Sequence, residues 1–201
     1  MYTEIKAPQR SDEWYNARAG LITASNFSSI LTHTGKPSST QIKVIANCVK
    51  ENIKGIVEEE QSFKSLAMIR GASLELEAFE FANQITELNF RTCGFLDSGL
   101  GYGASPDGIN EELGIGLEIK CPEFHNHVET LLNGDMPKAH WQQVQGCMLV
   151  TGFKKWVFIS YSDDIESFIK VIDRDDEYIN KLKEQLLSCA EKIKEITEKY
   201  S

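Results

Sequence analysis

Two short runs hold the residues best suited to chemistry: Asp107 in Ser105-Pro106-Asp107-Gly108, and Glu118 with Lys120 in Leu117-Glu118-Ile119-Lys120-Cys121-Pro122. If the chain between Asp107 and Glu118 folds as an antiparallel hairpin with its turn near residues 111–113, the two carboxylates sit opposite one another. Opposed residues of such a pair share a face, with Cβ atoms roughly 5 Å apart. Strand side chains alternate, so Lys120 joins Glu118 on that face while Ile119 points the other way, into a core. Neighbouring carboxylates repel unless something positive lies between them, and hard oxygen ligands suit Mg2+ or Mn2+. An ion held by Asp107, Glu118 and the Ile119 backbone carbonyl keeps positions open for a phosphate oxygen and a water. Lys120 then holds or deprotonates that water for in-line attack at phosphorus. Taken singly, each run has a plain structural explanation: Ser-Pro-Asp-Gly is a common turn, and Glu-x-Lys a common exposed alternation.

Other polar groups join this set conditionally. Glu75 lies beside the apolar stripe of Ala72, Leu76 and Phe79, as either a border carboxylate reaching solvent or a ligand aimed at the sheet. Gln142 and Gln145 flank an apolar face formed by Val144, Met148 and Leu149, where ordinary helix surface is the alternative. The run RAGLITAS (18–25) reads as an arginine, a helix stop and a helix start. Thr23 and Ser25 there present hydroxyls at a helix N-terminus that attracts anions, and Arg18 adds a bidentate fork. Capping alone also accounts for Thr23. His33, His125, His127 and His140 show no i,i+4 zinc spacing and stay unassigned.

The elements that must position these residues follow from periodicity. Ser11 caps a short helix through Trp14 and Arg18 that Gly20 ends, and Thr23 caps a second one carrying Phe27, Ile30 and Leu31. Ile42, Ile45, Val49, Ile53 and Ile56 recur at helical spacing, and so do Ile69, Ala72, Leu76 and Phe79. The period then becomes that of strands in FRTCGFL (90–96) and in LGIGLEIK (113–120), with Leu113, Ile115, Leu117 and Ile119 on one face. Helices over 124–133 and 138–150, strands over 156–161 and 168–172, and a terminal helix complete the chain. In that last helix Ile179, Leu182, Leu186, Cys189, Ile193, Ile196 and Tyr200 step by 3, 4, 3, 4, 3, 4, which fits either a core-covering helix or a coiled-coil seam. The pattern predicts a mixed α/β fold: a small central mixed β-sheet flanked by helices. We expect one domain over 1–201, with a helical part at 1–83, a sheet core at 84–172 and a closing helix at 173–201.

With 201 residues, 41% hydrophobic and 25% charged, the chain has the composition of one ordinary globular domain, which excludes a disordered tail, a collagen-like repeat and a coiled-coil rod. No apolar run is long enough to span a bilayer, MYTEIKAPQR has no secretory pattern, and the five scattered cysteines form no Cys-x-x-Cys pair. A soluble protein of a reducing cytoplasm is expected. The net charge of −9 is unevenly spread, +3 over residues 1–54 and −12 over 55–201, as when a basic face sits on an acidic body.

Taken in order, RAGLITAS (18–25), RGASLE (70–75), SPDG (105–108), GLEIKCP (116–122) and QVQ (143–145) resemble the lambda-exonuclease-like viral recombinases. These are YqaJ-type alkaline exonucleases of the PD-(D/E)xK nuclease superfamily, with a restriction-endonuclease-like core. The resemblance implies that Asp107 and Glu118 bind catalytic Mg2+ (Mn2+ substituting), helped by the Ile119 carbonyl. It further implies that Glu75 supports a metal or the attacking water, that Lys120 orients the water, and that Gln145 completes the site. Arg18, Ser25 and Ser105 match positions that bind the DNA 5′-phosphate or backbone. The implied activity is processive 5′→3′ digestion of one strand of duplex DNA from ends that are preferably 5′-phosphorylated. Mononucleotides are released and a 3′ single-strand tail is left. A ring-shaped homotrimer, a single-strand annealing partner, a phage or prophage origin and a bacterial host cytoplasm are implied with it. One departure is Thr34-Gly35-Lys36, where the family can carry a further phosphate-binding arginine. Two competing readings are an endonuclease of the same type and a catalytically inert DNA-end-binding protein. The inert reading expects a missing ligand, yet Glu75, Asp107, Glu118 and Lys120 are all present. An iron–sulfur relative expects a cysteine cluster, and only Cys121 lies near these residues.

Overall fold

Local signals set the element ends. In the computed structural model residues 2–55 and 66–201 are described, with side chains of the helix beginning at Leu66 described from Leu74 onward. After strand β1 (Thr3–Ile5), helix α1 (Asp12–Arg18) starts where the Ser11 hydroxyl accepts from the Trp14 N–H. Strand β2 (Ile22–Thr23) leads into a six-residue 3-10 helix (Ala24–Ser29), then α2 (Gln41–Lys54) and α3 (Leu66–Thr86). Four strands follow: β3 (Phe95–Asp97), β4 (Tyr102–Ala104), β5 (Gly108–Asn110) and β6 (Ile115–Lys120). Next come α4 (Phe124–Asn133), a 3-10 turn (Lys138–His140) running into α5 (Trp141–Thr151), β7 (Lys155–Ser160) and β8 (Phe168–Asp173). The last element is α6 (Asp176–Tyr200), capped by the Asp175 carboxylate on the Tyr178 N–H.

Among the described residues the strands form two four-stranded mixed sheets, ordered β1-β3-β4-β2 and β5-β6-β7-β8. Expectation gave a single sheet. The strands it missed, β1, β2 and β4, span only two or three residues each, too short for an alternating pattern. In the second sheet β5 and β6 are antiparallel, with Gly108 opposite Leu117 and Asn110 opposite Ile115. Strand β6 then runs parallel to β7, with Glu118 opposite Phe158 and Lys120 opposite Ser160.

Helices cover both faces of this sheet, so β6 is buried almost throughout. Ile115, Leu117 and Ile119 pack with Ala78 and Ala82 of α3. Trp156 and Phe158 pack with Val144, Cys147 and Met148 of α5 on the other face. Gly116 belongs to the α5 face, where a Cβ would stand 2.2 Å from the Trp156 ring; only glycine lets that indole lie flat across the strand.

Several expectations change here. Thr23 ends a strand and makes no side-chain cap, because the turn after it is 3-10. Leu113 lies in the hairpin turn and is exposed. The expected helical part over 1–83 also supplies β1 and β2 to the first sheet. In α6, Ile179 through Ile193 are buried against the core and α2, so the seam covers the domain, while Tyr200 is exposed. Ile56, and the side chains of Ile69 and Ala72, lie outside the described residues. No helix among the described residues is long and apolar enough to cross a membrane.

Candidate active site

The hairpin register carries the site. Gly108 faces Leu117, so Asp107, one residue earlier, falls opposite Glu118. The two ends are tied by the Ile119 N–H, which donates to Asp107 Oδ2 at 2.6 Å. A strand residue points its N–H and C=O to the same side. Lys120 offers its carbonyl to Tyr161 on the β7 side, so the Ile119 carbonyl faces the Asp107 side.

Glu118 is 1% exposed, a burial that requires partners. Its Oε1 accepts from Lys120 Nζ at 2.5 Å and from Gln143 Nε2 at 2.6 Å. Its Oε2 is buried with no hydrogen-bond partner. Burial and the neighbouring Glu118 charge push the Asp107 carboxyl up to about 8, against the pull of Lys120 and the Ile119 N–H; Glu75 pushes it further up. Burial draws the Lys120 ammonium down, but Glu118 and Asp107 outweigh it and hold the group above its ordinary value. Near neutral pH both shifts favour the protonated forms, so a dication would have to displace the Asp107 proton to use that carboxylate.

A groove of about 640 Å³ gathers the remaining groups. Arg18 lies over the Trp14 ring, 3.8 Å from its centroid, and donates to Thr23 Oγ1 at 3.4 Å. Thr23 and Ser25 hydroxyls are 3.1 Å apart, and Trp14 Nε1 donates to Ser105 Oγ at 3.0 Å. Arg18, Ser25 and Ser105 line the same groove as Glu75, Asp107, Glu118 and Lys120. Glu75, on α3, reaches it at 41% side-chain exposure, paired with Arg10 at 2.9 Å. The helix start expected at Thr23 is instead a short 3-10 turn.

Gln145 does not join them. It is fully buried, donating to the Asp173 carbonyl and accepting from the Asp175 N–H, each at 2.9 Å, and so pins α5 to the β8–α6 turn. Residues two apart on a helix point to different sides, and Gln143 is the one that meets Glu118. The QVQ run contained this residue, but periodicity alone cannot choose between its two glutamines. Gln142 is buried outside the groove, and exposed Lys36 does not line it. His127 is a packing residue whose nitrogens bond Ser160 Oγ and the Glu166 carbonyl. His140 stacks on Phe158, and burial with the Lys120 charge lowers its pKa to about 4.

Among the described residues no group of three or more His, Cys, Asp or Glu closes on one point. Two carboxylates and a backbone carbonyl would supply only part of a coordination shell, which suits an ion that keeps several waters, as Mg2+ does. The orphaned Glu118 Oε2 fits such an ion, since a buried carboxylate oxygen needs a positive partner.

A family model of the YqaJ-like viral recombinase domain matches residues 13–154, a span that includes Arg18, Ser25, Glu75, Ser105, Asp107, Glu118, Lys120 and Gln143. Comparison with curated proteins found no match. Among solved structures, the chain resembles an alkaline exonuclease, LHK-Exo, from Laribacter hongkongensis: 28% identity, TM-score 0.84, covering 94% of this chain and 95% of that one. The structure of LHK-Exo in complex with dAMP matches at 28% identity and TM-score 0.83, over the same shares of each chain. A phage-related exonuclease from Haemophilus somnus 129PT shares the fold at 16% identity and TM-score 0.67, covering 90% and 96%.

Proposed function

The chain belongs to the YqaJ-like viral recombinase family, and from that premise we propose that it is a Mg2+-dependent exonuclease that digests one strand of duplex DNA processively, 5′→3′. It releases 5′-mononucleotides and leaves a 3′ single-strand tail. The observation that carries this reading is Glu118, buried at 1% exposure with one oxygen unpartnered, beside Asp107 and Lys120 in the groove that also holds Arg18, Ser25 and Ser105.

Asp107, Glu118 and the Ile119 carbonyl would hold the ion, with Glu75 and Gln143 around it. Mg2+ bound there supplies Lewis-acid polarisation of the phosphodiester and a more acidic water; Mn2+ can replace it. Gln143 fixes the Glu118 carboxylate by donating to Oε1. Lys120 donates to the same oxygen and, as an ammonium, aligns the attacking water and screens charge building on the phosphate. Arg18, with the Thr23, Ser25 and Ser105 hydroxyls, binds the terminal 5′-phosphate and favours phosphorylated ends.

The reading extends to a homotrimeric ring around the duplex, acting in the cytoplasm of a bacterial host from a phage or prophage gene. The tail would pass to a single-strand annealing protein. Exposed Phe124 and Leu132 on α4 support an assembly that covers them. Linear duplex labelled distinctly at its 5′ and 3′ ends, with a closed circle as control, tests the core claim. Mg2+-dependent release of the 5′ label as mononucleotide with circles intact is expected, and Lys120→Ala is expected to lose more than about a hundredfold in rate. Cut circles, 3′-label release or normal turnover by the variant contradict it.

A further inference from the structure

The groove that holds the phosphate-binding set does not end at the metal-binding carboxylates. A second groove of about 790 Å³ is also lined by Asp107 and Ile119, together with Leu76, Phe79 and Lys6. The two grooves share Gln9, Arg10, Glu75, Asp107 and Ile119.

Arg10 stands at this junction, and its position is built. Its φ of 71° is left-handed, a conformation few non-glycine residues adopt. The turn is closed by the Ser11 N–H donating to the Pro8 carbonyl at 3.1 Å. Gln9 Nε2 donates to the Pro106 carbonyl at 2.9 Å, which ties the turn to the residue just before Asp107. The guanidinium Nη2 lies 2.9 Å from Glu75 Oε2, with half of the Arg10 side chain exposed. Arg91, on the same groove, is instead committed to Glu4 and Glu111. Once Glu75 turns to a metal or its water, the planar fork of Arg10 faces the junction with donors that match a phosphodiester.

Resting on the exonuclease reading above, we propose that Arg10 is a further substrate-binding residue: it grips the first phosphodiester on the 3′ side of the cut, and the groove behind Asp107 receives the nucleoside joined to it. The terminal 5′-phosphate is held on the Arg18 side. A strand crossing the Asp107–Glu118 pair therefore continues 3′ toward Arg10, where Leu76 and Phe79 offer apolar surface to a base and Lys6 a second cation.

The test measures first-turnover release of the terminal mononucleotide by wild type, Arg10→Gln and Arg10→Lys. One substrate is ordinary duplex; the other carries a single uncharged methylphosphonate at the linkage just 3′ of the first scissile one. Glutamine and lysine make the same backbone demand as arginine, and thermal melting checks that they fold. Arg10→Gln should slow release about tenfold, with Arg10→Lys recovering part of the loss. The methylphosphonate should slow wild type by a similar factor and Arg10→Gln no further, because both changes remove one contact. Losses that multiply, or a wild-type rate on ordinary duplex retained by Arg10→Gln, overturn the proposal. If the variants fail to fold, a full wild-type rate on the methylphosphonate substrate overturns it by itself, and a slowed rate upholds it. Absence of 5′ digestion by wild type on ordinary duplex refutes the exonuclease reading instead.

Discussion

Asp107 sets the charge state of the site. Its carboxyl is pushed up to about 8 by burial and then by Glu118, from an ordinary 3.8. Between those values the metal-free native state keeps a proton that the unfolded chain has released, so the metal-free fold loses stability as pH rises through that window. A dication held as proposed would have to displace the same proton. Mg2+ affinity is therefore expected to climb about tenfold per pH unit from about pH 6 to 8 and to level off above, as read by calorimetric titration. An affinity that stays flat across that range would show Asp107 already ionised. Asp107, Glu118 and Lys120 were legible in the sequence because strand alternation and hairpin register decide which side chains meet. Gln143 was not: it and Gln145 are the same residue type on one helix, and only the docking of α5 decides which meets Glu118. Arg10 owes its place to a turn that no periodicity announces.

At the scale of elements, the long patterns read well and the short ones did not. Helices α2, α4, α5 and α6 and strands β6 to β8 fall within a few residues of their sequence signals. β1, β2 and β4 exist only because neighbouring strands supply their hydrogen bonds, so their own residues carry no signal. This also explains Thr23, whose cap-like surroundings lost to pairing with Gly103. The α6 seam illustrates how burial sorts a regular pattern. Leu186 is fully buried in the core, whereas Ile196 is 37% exposed near the helix end. Leu186→Ala should cost about 2–5 kcal/mol in denaturant unfolding, and Ile196→Ala clearly less than that. Equal losses would mean that the helix is covered along its whole length, as in a coiled coil.

The molecule as a whole carries −9, and its first 54 residues carry +3. A net-acidic body repels DNA, so local affinity alone is a poor way to stay on a duplex. In the proposed ring, encirclement would retain the track and basic residues would guide the end into the groove. Raising salt from about 50 to 200 mM should then slow capture of ends while leaving the tract digested per encounter nearly unchanged. Tracts that shorten in step with capture, with the ring intact by sedimentation, would remove encirclement from the account.

The central claim is that a hairpin brings two acids and an amine together to hold a dication beside the scissile bond. Crystals grown with Mn2+ at about pH 8.5, above the Asp107 value of about 8, test it directly through anomalous scattering. A peak bounded by the Asp107 and Glu118 carboxylates and the Ile119 carbonyl, lost in Asp107→Asn, is the predicted result. No peak there, or a peak elsewhere that Asp107→Asn leaves unchanged, would contradict it.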